Sequence, residues 1–378
     1  MNSDENPIIE YIWQAPAWPD LIWNAALVAP LLEQIAAKAG ELRGLRSGLS
    51  DADQTMILAD ELGREAAASY AIEGEIVDPT SISASVAASL NARHRSIVAG
   101  GNEPIAELML DAQTNTGPLD ADRLHAWHRL MFEGSNRLKR VGTWRTTEMS
   151  VVSGVIGNEK TEFEAPQPEY VGAEMAALLD WIRHAEDVPA AVKAALAHLR
   201  FETIHPYEDG NGRIGRAIAE HILASSISFS GTPFSLSRTI LARRSAYYDA
   251  LKFSQRLSAI DLESDPHAID ATDFVLWFLE AIDAALDQAR GNARLLTTRN
   301  RYFEQWRGQL SERQEMVLRR LFEEGQERLD QGISTKPYAR IGDVSNVTAA
   351  RDLADLAKKG AIRKGEAGGR STRYQIEI

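Results

Sequence analysis

Apolar side chains recur at helical spacing along most of the chain. The run AAVKAALAHLRFETI, Ala190 to Ile204, predicts one helix. Arg213 to about Ser226 predicts another, with Ile214, Ala217, Ile218 and Ile222 on one stripe. Further helices are predicted from about Asp20 to Leu42 and from Ser50, an N-cap residue, to about Ile72, where Gly74 and Pro79 form a stop. A helix pair follows within residues 81–110, then helices from about Asp120 through LHAWHRLMF, over SLSRTILARRSAYYDAL, and from Asp270 to Arg290. Between Val141 and Tyr170 the pattern becomes strand-like, with turn residues at Gly154 and at Gly157-Asn158, which predicts a β-hairpin. Trp13, Trp18 and Trp23 read as packing residues of an N-terminal cap.

Composition narrows the class. The 378 residues suffice for two or three domains, and 44% hydrophobic with 25% charged residues is ordinary for a globular chain. There is no cysteine, which removes disulfides, thiolate catalysis and zinc–thiolate sites and fits a reducing compartment. No apolar run approaches the ~20 residues needed to span a bilayer, and the acidic start MNSDENPIIEY lacks the regions of a signal peptide. A cytoplasmic location without a membrane partner is the expectation. The net charge of −13 argues against broad nucleic-acid affinity for the whole chain, yet from Ser311 onward Lys and Arg (13) outnumber Asp and Glu (11).

The chemistry concentrates in HPYEDGNGRIGR, His205 to Arg216. Pro206 disfavours helical geometry in the residue before it, so His205 to Gly212 is predicted to be a tight loop feeding the N-terminus of the next helix. First-turn N–H groups of a helix have no intrahelical partners and attract anions. Gly210 and Gly212 let phosphate oxygens approach, and Arg213 and Arg216 bring guanidinium forks suited to them. Asp209 is a single carboxylate of the kind that holds Mg²⁺ on nucleotide phosphates. His205 is a general base for a hydroxyl nucleophile. A lone Asp-Gly-Asn-Gly would read as a capped turn; the full string meets too many separate requirements for that. His125 and His128 have metal-ligand spacing but lack a third ligand, and so read as packing residues.

The string resembles the Fic family motif HPFx[D/E]GNGRxxR at every fixed position except Tyr207, which replaces Phe and keeps the aromatic anchor. The resemblance implies a Fic-type helical core with a β-hairpin flap, so the expected fold class is mainly α. It also implies transfer of a nucleotide fragment, most often AMP from Mg·ATP, to a protein hydroxyl, and so a nucleotidyltransferase. His205 would be catalytic and Asp209 the metal ligand. The nucleotide would be bound by Asp209, Gly210, Asn211, Gly212, Arg213, Ile214, Gly215 and Arg216, with Tyr247 and Gln255 at the adenine; Gln255 stands where the family has Asn. SYAIEG, Ser69 to Gly74, matches the family's [S/T]xxxE[G/N] inhibitory helix, and the resemblance implies that Glu73 pairs with Arg216 and obstructs the terminal phosphate of ATP. Its place before the core corresponds to the N-terminal-inhibitor (class II) type. Strand edges near Met149 to Gly154 and Thr161 to Ala165 are expected to dock a target segment by added-strand hydrogen bonds.

The tail reads separately. Ser311 to Glu324 and Val347 to Lys359 predict helices, the second ending at Gly360, and the remaining residues alternate around a Gly-Gly turn. This resembles a winged helix-turn-helix. DNA would meet Arg351, Lys358, Lys359, Arg363, Lys364, Arg370 and Arg373, but four acidic residues interleave with them, which favours protein recognition or dimer packing. The predicted domains are 1–105, a helical region with the inhibitory element; 106–290, the catalytic core; 291–310, a helical connector; and 311–378, the winged-helix-like domain. The expected partners are a target protein bearing a Ser, Thr or Tyr hydroxyl, the protein itself through self-modification, and a homodimer. Alternative readings are AMP removal, transfer of another nucleotide, and a DNA-binding regulator acting through the tail.

Overall fold

The computed structural model describes residues 10–92, 103–132, 137–155, 158–257, 268–365 and 372–377. The chain divides into two compact units, Met1–Ala289 and Arg290–Ile378.

Unit 1 opens with β1 (Leu21–Ile22), followed by α1 (Ala25–Ser47), α2 (Asp51–Ile72), α3 (Pro79–Ala92), α4 (Glu103–Thr114) and α5 (Ala121–Met131). The hairpin β2 (Ser150–Val155) and β3 (Asn158–Glu164) comes next. Then follow α6 (Pro168–His184), α7 (Ala190–Ile204), α8 (Asn211–Ser225), α9 (Leu236–Ala242), α10 (Arg244–Ser254) and β4 (Ile269–Asp270). The last helix to begin in this unit is α11 (Thr272–Gln305). The fold is mainly α, as expected.

Caps set the boundaries. The Asn24 side chain accepts from the backbone of Ala26 and Leu27 and starts α1 later than Asp20, because Leu21 and Ile22 pair in parallel with Ile269 and Asp270. Ser50 accepts from the Asp53 amide and starts α2 where the sequence places it. The apolar helix predicted from Asp270 to Arg290 begins at Thr272 and continues past Arg290: α11 runs to Gln305. Beyond the first apolar stretch, Ala293, Leu296 and Tyr302 are buried and keep the backbone helical.

α7 and α8 form the centre of unit 1. From Ala194 to Ile204 every residue of α7 is buried, which explains why its apolar residues occupy more than one face. The N-terminal segment straps the outside of the core. Trp13 Nε1 donates to the Glu164 carbonyl at 2.7 Å, Trp18 Nε1 donates to Glu174 at 2.9 Å, and Tyr11 packs edge-on against Phe163. The β2–β3 hairpin is antiparallel, with a register shift between Val151 and Val152 opposite Glu162.

Unit 2 holds the C-terminal part of α11, then α12 (Glu312–Glu323), α13 (Gln326–Gln331), α14 (Thr335–Ile341), α15 (Asn346–Lys359), β5 (Ile362–Lys364) and β6 (Tyr374–Ile376). Its own core includes Tyr302, Val317, Leu321, Phe322, Tyr338, Leu353 and Leu356. β5 and β6 pair antiparallel, and Gly360 ends α15 in the left-handed conformation.

Candidate active site

α7 ends at Ile204, and His205 closes it with φ 50°, a left-handed conformation uncommon for a residue with a side chain. The next helix starts at Asn211, two residues earlier than the sequence places it. Gly210, at φ 81°, occupies its N-cap position. A side chain at Gly210 would strike Met131 and Phe132. The loop is stapled by Asn211, whose Oδ1 accepts from the Tyr207 amide at 2.9 Å while its Nδ2 donates to the Tyr207 carbonyl at 2.8 Å. Asn211 thus shapes the loop. The two histidines of α5 also serve the loop. His128 stacks on Tyr207, accepts at Nδ1 from the Gly142 amide and donates from Nε2 to the Asp209 carbonyl at 3.2 Å. That pairing requires the neutral Nε2–H tautomer, and burial lowers the His128 pKa to about 4. His125 lies 3.1 Å from the Tyr207 hydroxyl.

A cavity of about 610 Å³ opens above this loop, lined in part by Glu73, Glu202, His205, Asp209, Gly210, Asn211, Gly212, Tyr247, Tyr248 and Gln255. His205 Nδ1 lies 3.3 Å from the Glu202 carbonyl, which only accepts, so the ring proton belongs on Nδ1 and Nε2 carries the lone pair. Burial, reinforced by the charge of Arg145, lowers the His205 pKa to about 4 against the pull of the Glu202 carbonyl. The imidazole is therefore neutral at physiological pH. Asp209 Oδ1 accepts from the Gly210 amide at 2.6 Å and lies 3.6 Å from Arg213 Nη2.

Both arginines of the motif are answered by carboxylates from the end of α2. Arg216 is buried; Nη2 donates to Glu73 Oε1 at 2.9 Å and to the Ser69 carbonyl at 2.8 Å, while Nε donates to Ser69 Oγ at 3.0 Å. Burial alone would lower the Arg216 pKa, but Glu73, Tyr247 and Glu202 together raise it above the ordinary value. Arg213 donates to Glu75 Oε2 at 3.2 Å, and its guanidinium lies over Tyr70 and Phe132. A Cβ on Gly212 would also strike Glu73 Oε1, so only glycine leaves room for the carboxylate there.

Of the remaining predicted residues, Tyr247 and Gln255 line the cavity, while Ile214 and Gly215 do not. Ile214 is fully buried in the core. Gly215 gives space to the Glu202 carboxyl and the His198 ring. Tyr247 is 1% exposed and its hydroxyl meets His198 Nε2 at 2.8 Å, whereas Tyr248 is the exposed ring, with its hydroxyl donating to the Ile72 carbonyl. Gln255 is buried and donates to Thr203 Oγ1 at 3.3 Å.

Sequence reading misses Glu75, Glu202 and Arg145. Burial raises the Glu202 pKa to about 8 despite Arg216 nearby, so this carboxyl is largely protonated at neutral pH, with Oε2 3.9 Å from His205 Nδ1. Arg145 is 1% exposed; Nε donates to the His205 carbonyl at 2.8 Å, Nη1 to Thr147 at 2.8 Å and Nη2 to Pro166 at 2.5 Å. Arg145 therefore ties the base of the hairpin to the His205 loop. On β3, the outward Glu162 carbonyl accepts from Arg256 and that of Glu164 from Trp13, while β2 has no second strand beside it among the described residues.

A helix N-terminus with paired glycines and arginines, beside a neutral histidine at one cavity, is an arrangement that can hold phosphate and accept a proton. Residues 118–223, which contain the stretch from His205 to Arg216, match the Fic/DOC family. Residues 11–92 match a domain of unknown function, DUF4172, and that match includes Ser69, Glu73 and Glu75. The "Probable protein adenylyltransferase" of Aquifex aeolicus is 30% identical over 97 residues, 26% of this chain and 30% of that protein. The uridine 5'-monophosphate transferase of Xanthomonas campestris is 29% identical over 115 residues, 26% of this chain and 20% of that protein. The chain thus spans less than a third of the length of these relatives. A crystal structure of a Fic family protein from Desulfovibrio desulfuricans covers 92% of this chain and 96% of its own at 20% identity, with a TM-score of 0.49. No helix among the described residues is long and apolar enough to cross a membrane.

Proposed function

We propose that the protein transfers AMP from Mg·ATP to a Ser, Thr or Tyr hydroxyl of a target protein, and that Glu73 restrains this activity. The observation that carries the reading is the shared cavity of His205, Asp209 and the Gly210–Gly212 amides, with Glu73 reaching in to hold Arg216. In the proposed step the hydroxyl oxygen forms a bond to the α-phosphorus, its proton passes to His205 Nε2, and the bond to pyrophosphate breaks with the electron pair leaving on oxygen. The helix N-terminal amides and Arg213 stabilise the charge that develops. Among the described residues no three His, Cys, Asp or Glu side chains converge on a metal position. The donor set nonetheless fits Mg²⁺, which takes one carboxylate, here Asp209, and completes its shell with waters and phosphates. Bound there, the ion would neutralise phosphate charge.

A target segment would dock along β2, because the outward carbonyls of β3 at Glu162 and Glu164 are already bonded. Incubating wild type and Glu73→Gly with labelled ATP, with mass spectrometry for self-modification, tests the reading; absence of AMP adducts in both would refute it. The relation to a uridine monophosphate transferase favours one second reading, a different nucleotide donor. Labelled ATP, GTP, CTP and UTP compared side by side separate the two.

Asp209→Ala is expected to lower activity more at limiting than at saturating Mg²⁺, since half the carboxylate is engaged by the Gly210 amide and the rest is open to a cation. Equal losses across a Mg²⁺ titration would leave Asp209 with loop shaping alone. The pH dependence has a definite sign. His205 accepts a proton only while neutral, so activity is retained above its depressed pKa of about 4 and lost as pH falls through it. The turnover of Glu73→Gly at saturating ATP should therefore stay level between about pH 5 and pH 7. An acid limb near 6.5, the ordinary histidine value, would contradict the buried base.

A further inference from the structure

Unit 2 differs from unit 1 in charge. Residues 290–378 hold eighteen Lys and Arg against twelve Asp and Glu, a surplus of six positive charges in a chain whose net charge is −13. Within this unit α14 is followed by a four-residue turn, Gly342 to Ser345, with Asp343 at φ 49°, and then by α15. Two helices joined by a turn of this length, with a two-stranded hairpin directly after them, form a helix-turn-helix with a wing.

α15 sorts its residues by face. Ala349, Asp352, Leu353 and Leu356 are buried, while Asn346, Val347, Ala350, Arg351, Ala354 and Lys358 face solvent or nearly so. Of the acidic residues that weigh against DNA in the sequence, three are engaged by neighbouring side chains, and Glu366 lies outside the described residues. Asp352 is held by Arg313 at 2.7 Å and by the Tyr338 hydroxyl; Asp355 is held by Gln314 at 2.9 Å and by Lys359 at 2.6 Å. Glu377 is paired with Arg363. Arg351, Lys358 and Lys364 are exposed, and none of them has an ion pair among the described residues.

We propose that unit 2 binds double-stranded DNA, with α15 entering the major groove and Lys364 of β5 meeting a phosphate. The helix, at 1.5 Å per residue, is about 21 Å long, and the groove, ~12 Å wide, admits a helix. Asn346, Ala350 and Ala354 are short, which lets the helix backbone approach the base edges. The side-chain amide of Asn346 and the guanidinium of Arg351 match the paired acceptors and donors of adenine and guanine. Ser345 caps the helix by accepting from the Thr348 amide, and the N-terminal end favours a phosphate. A protein interface would need an apolar centre, and Val347 is the single large apolar side chain among the six.

The test uses the full chain and a labelled random-sequence DNA duplex of about 20 bp, roughly two helical turns. Anisotropy titrations between roughly 50 and 200 mM salt should show binding that weakens steeply with salt. Arg351→Ala with Lys358→Ala should weaken it about tenfold or more, and Lys364→Ala should weaken it less and flatten the salt slope by about one. Arg319→Ala with Arg320→Ala removes the same charge from α12, where both side chains are paired with glutamates, and should leave binding nearly unchanged. Failure of wild type to bind at low salt, or equal losses in the two double variants, overturns the proposal. So does a change of oligomeric mass in the Arg351 and Lys358 variant without any duplex binding by wild type, which would make the surface a protein interface.

Discussion

Replacing His205 by alanine is expected to lower transfer by ~10²–10⁴-fold, the usual cost of losing a general base, with ATP affinity changed only a few-fold. The asymmetry follows from the site. The proposed phosphate cradle consists of the α8 amides, Gly210, Gly212 and the two arginines, none of which depends on the imidazole. His205 meets the loop mainly through backbone: its amide bonds the Phe201 carbonyl at 2.9 Å and its carbonyl accepts from Arg145. The left-handed conformation at this position adds strain for alanine, so His205→Asn is the better-matched second variant, because asparagine tolerates that region. Both variants should be inert in a Glu73→Gly background when labelled AMP transfer is measured, while calorimetry still detects ATP. Near-normal transfer by either one would remove His205 from the mechanism.

The second large effect runs the other way: Glu73→Gly should raise turnover about tenfold to a hundredfold, because a hydrogen bond to a charged group contributes ~1.5–3 kcal/mol. Removing the carboxylate does not set Arg216 adrift. Ser69 still holds the guanidinium through its hydroxyl and its carbonyl, and Tyr248 still holds the end of α2 at the Ile72 carbonyl. The arginine thus stays held in place while its competitor is gone. Glu73 is the C-cap of α2 and lies outside the helix interior, where the cost of glycine is incurred, so a folding defect would not mask the gain. A solvated helix-end acid would give unchanged activity. If Glu73 positioned a hydrolytic water instead, the variant would lose AMP removal while gaining transfer. Equal self-modification by wild type and variant at matched ATP and Mg²⁺ would end the inhibitory reading.

What the sequence discloses is local. Ser50 with its cap and the apolar spacing after it define α2 to the residue at Ile72, and Pro206 marks the end of α7. His205, Asp209, Gly210, Asn211 and Gly212 of the motif line one cavity because they lie within eight positions of one another. The start of α8 is missed by two residues: the sequence places it at Arg213, but Gly210 caps the helix and Asn211, its first residue, staples the loop behind it. Tyr247 matches a nucleotide-contact position, yet its hydroxyl is turned to His198, forty-nine residues back in the chain. Glu75, Glu202 and Arg145 carry no local signature at all. Arg145 meets His205 at a separation of sixty residues and Glu75 meets Arg213 at 138, so their roles exist only once the helices are packed.

Arg145 also has a consequence for how a target is selected. One side chain grips the carbonyls of Thr147 and Pro166, which flank the hairpin, and that of His205. The span from the β2 edge to the base is therefore fixed before any target arrives. For a segment docked as proposed, the protein acts as a ruler: it counts residues from the paired stretch to the hydroxyl. Extended chain advances about 3.3 Å per residue, so moving the acceptor by one position also turns it to the opposite face, and moving it by two displaces it by more than the reach of a proton transfer. Targets would then share a spacing rather than a sequence.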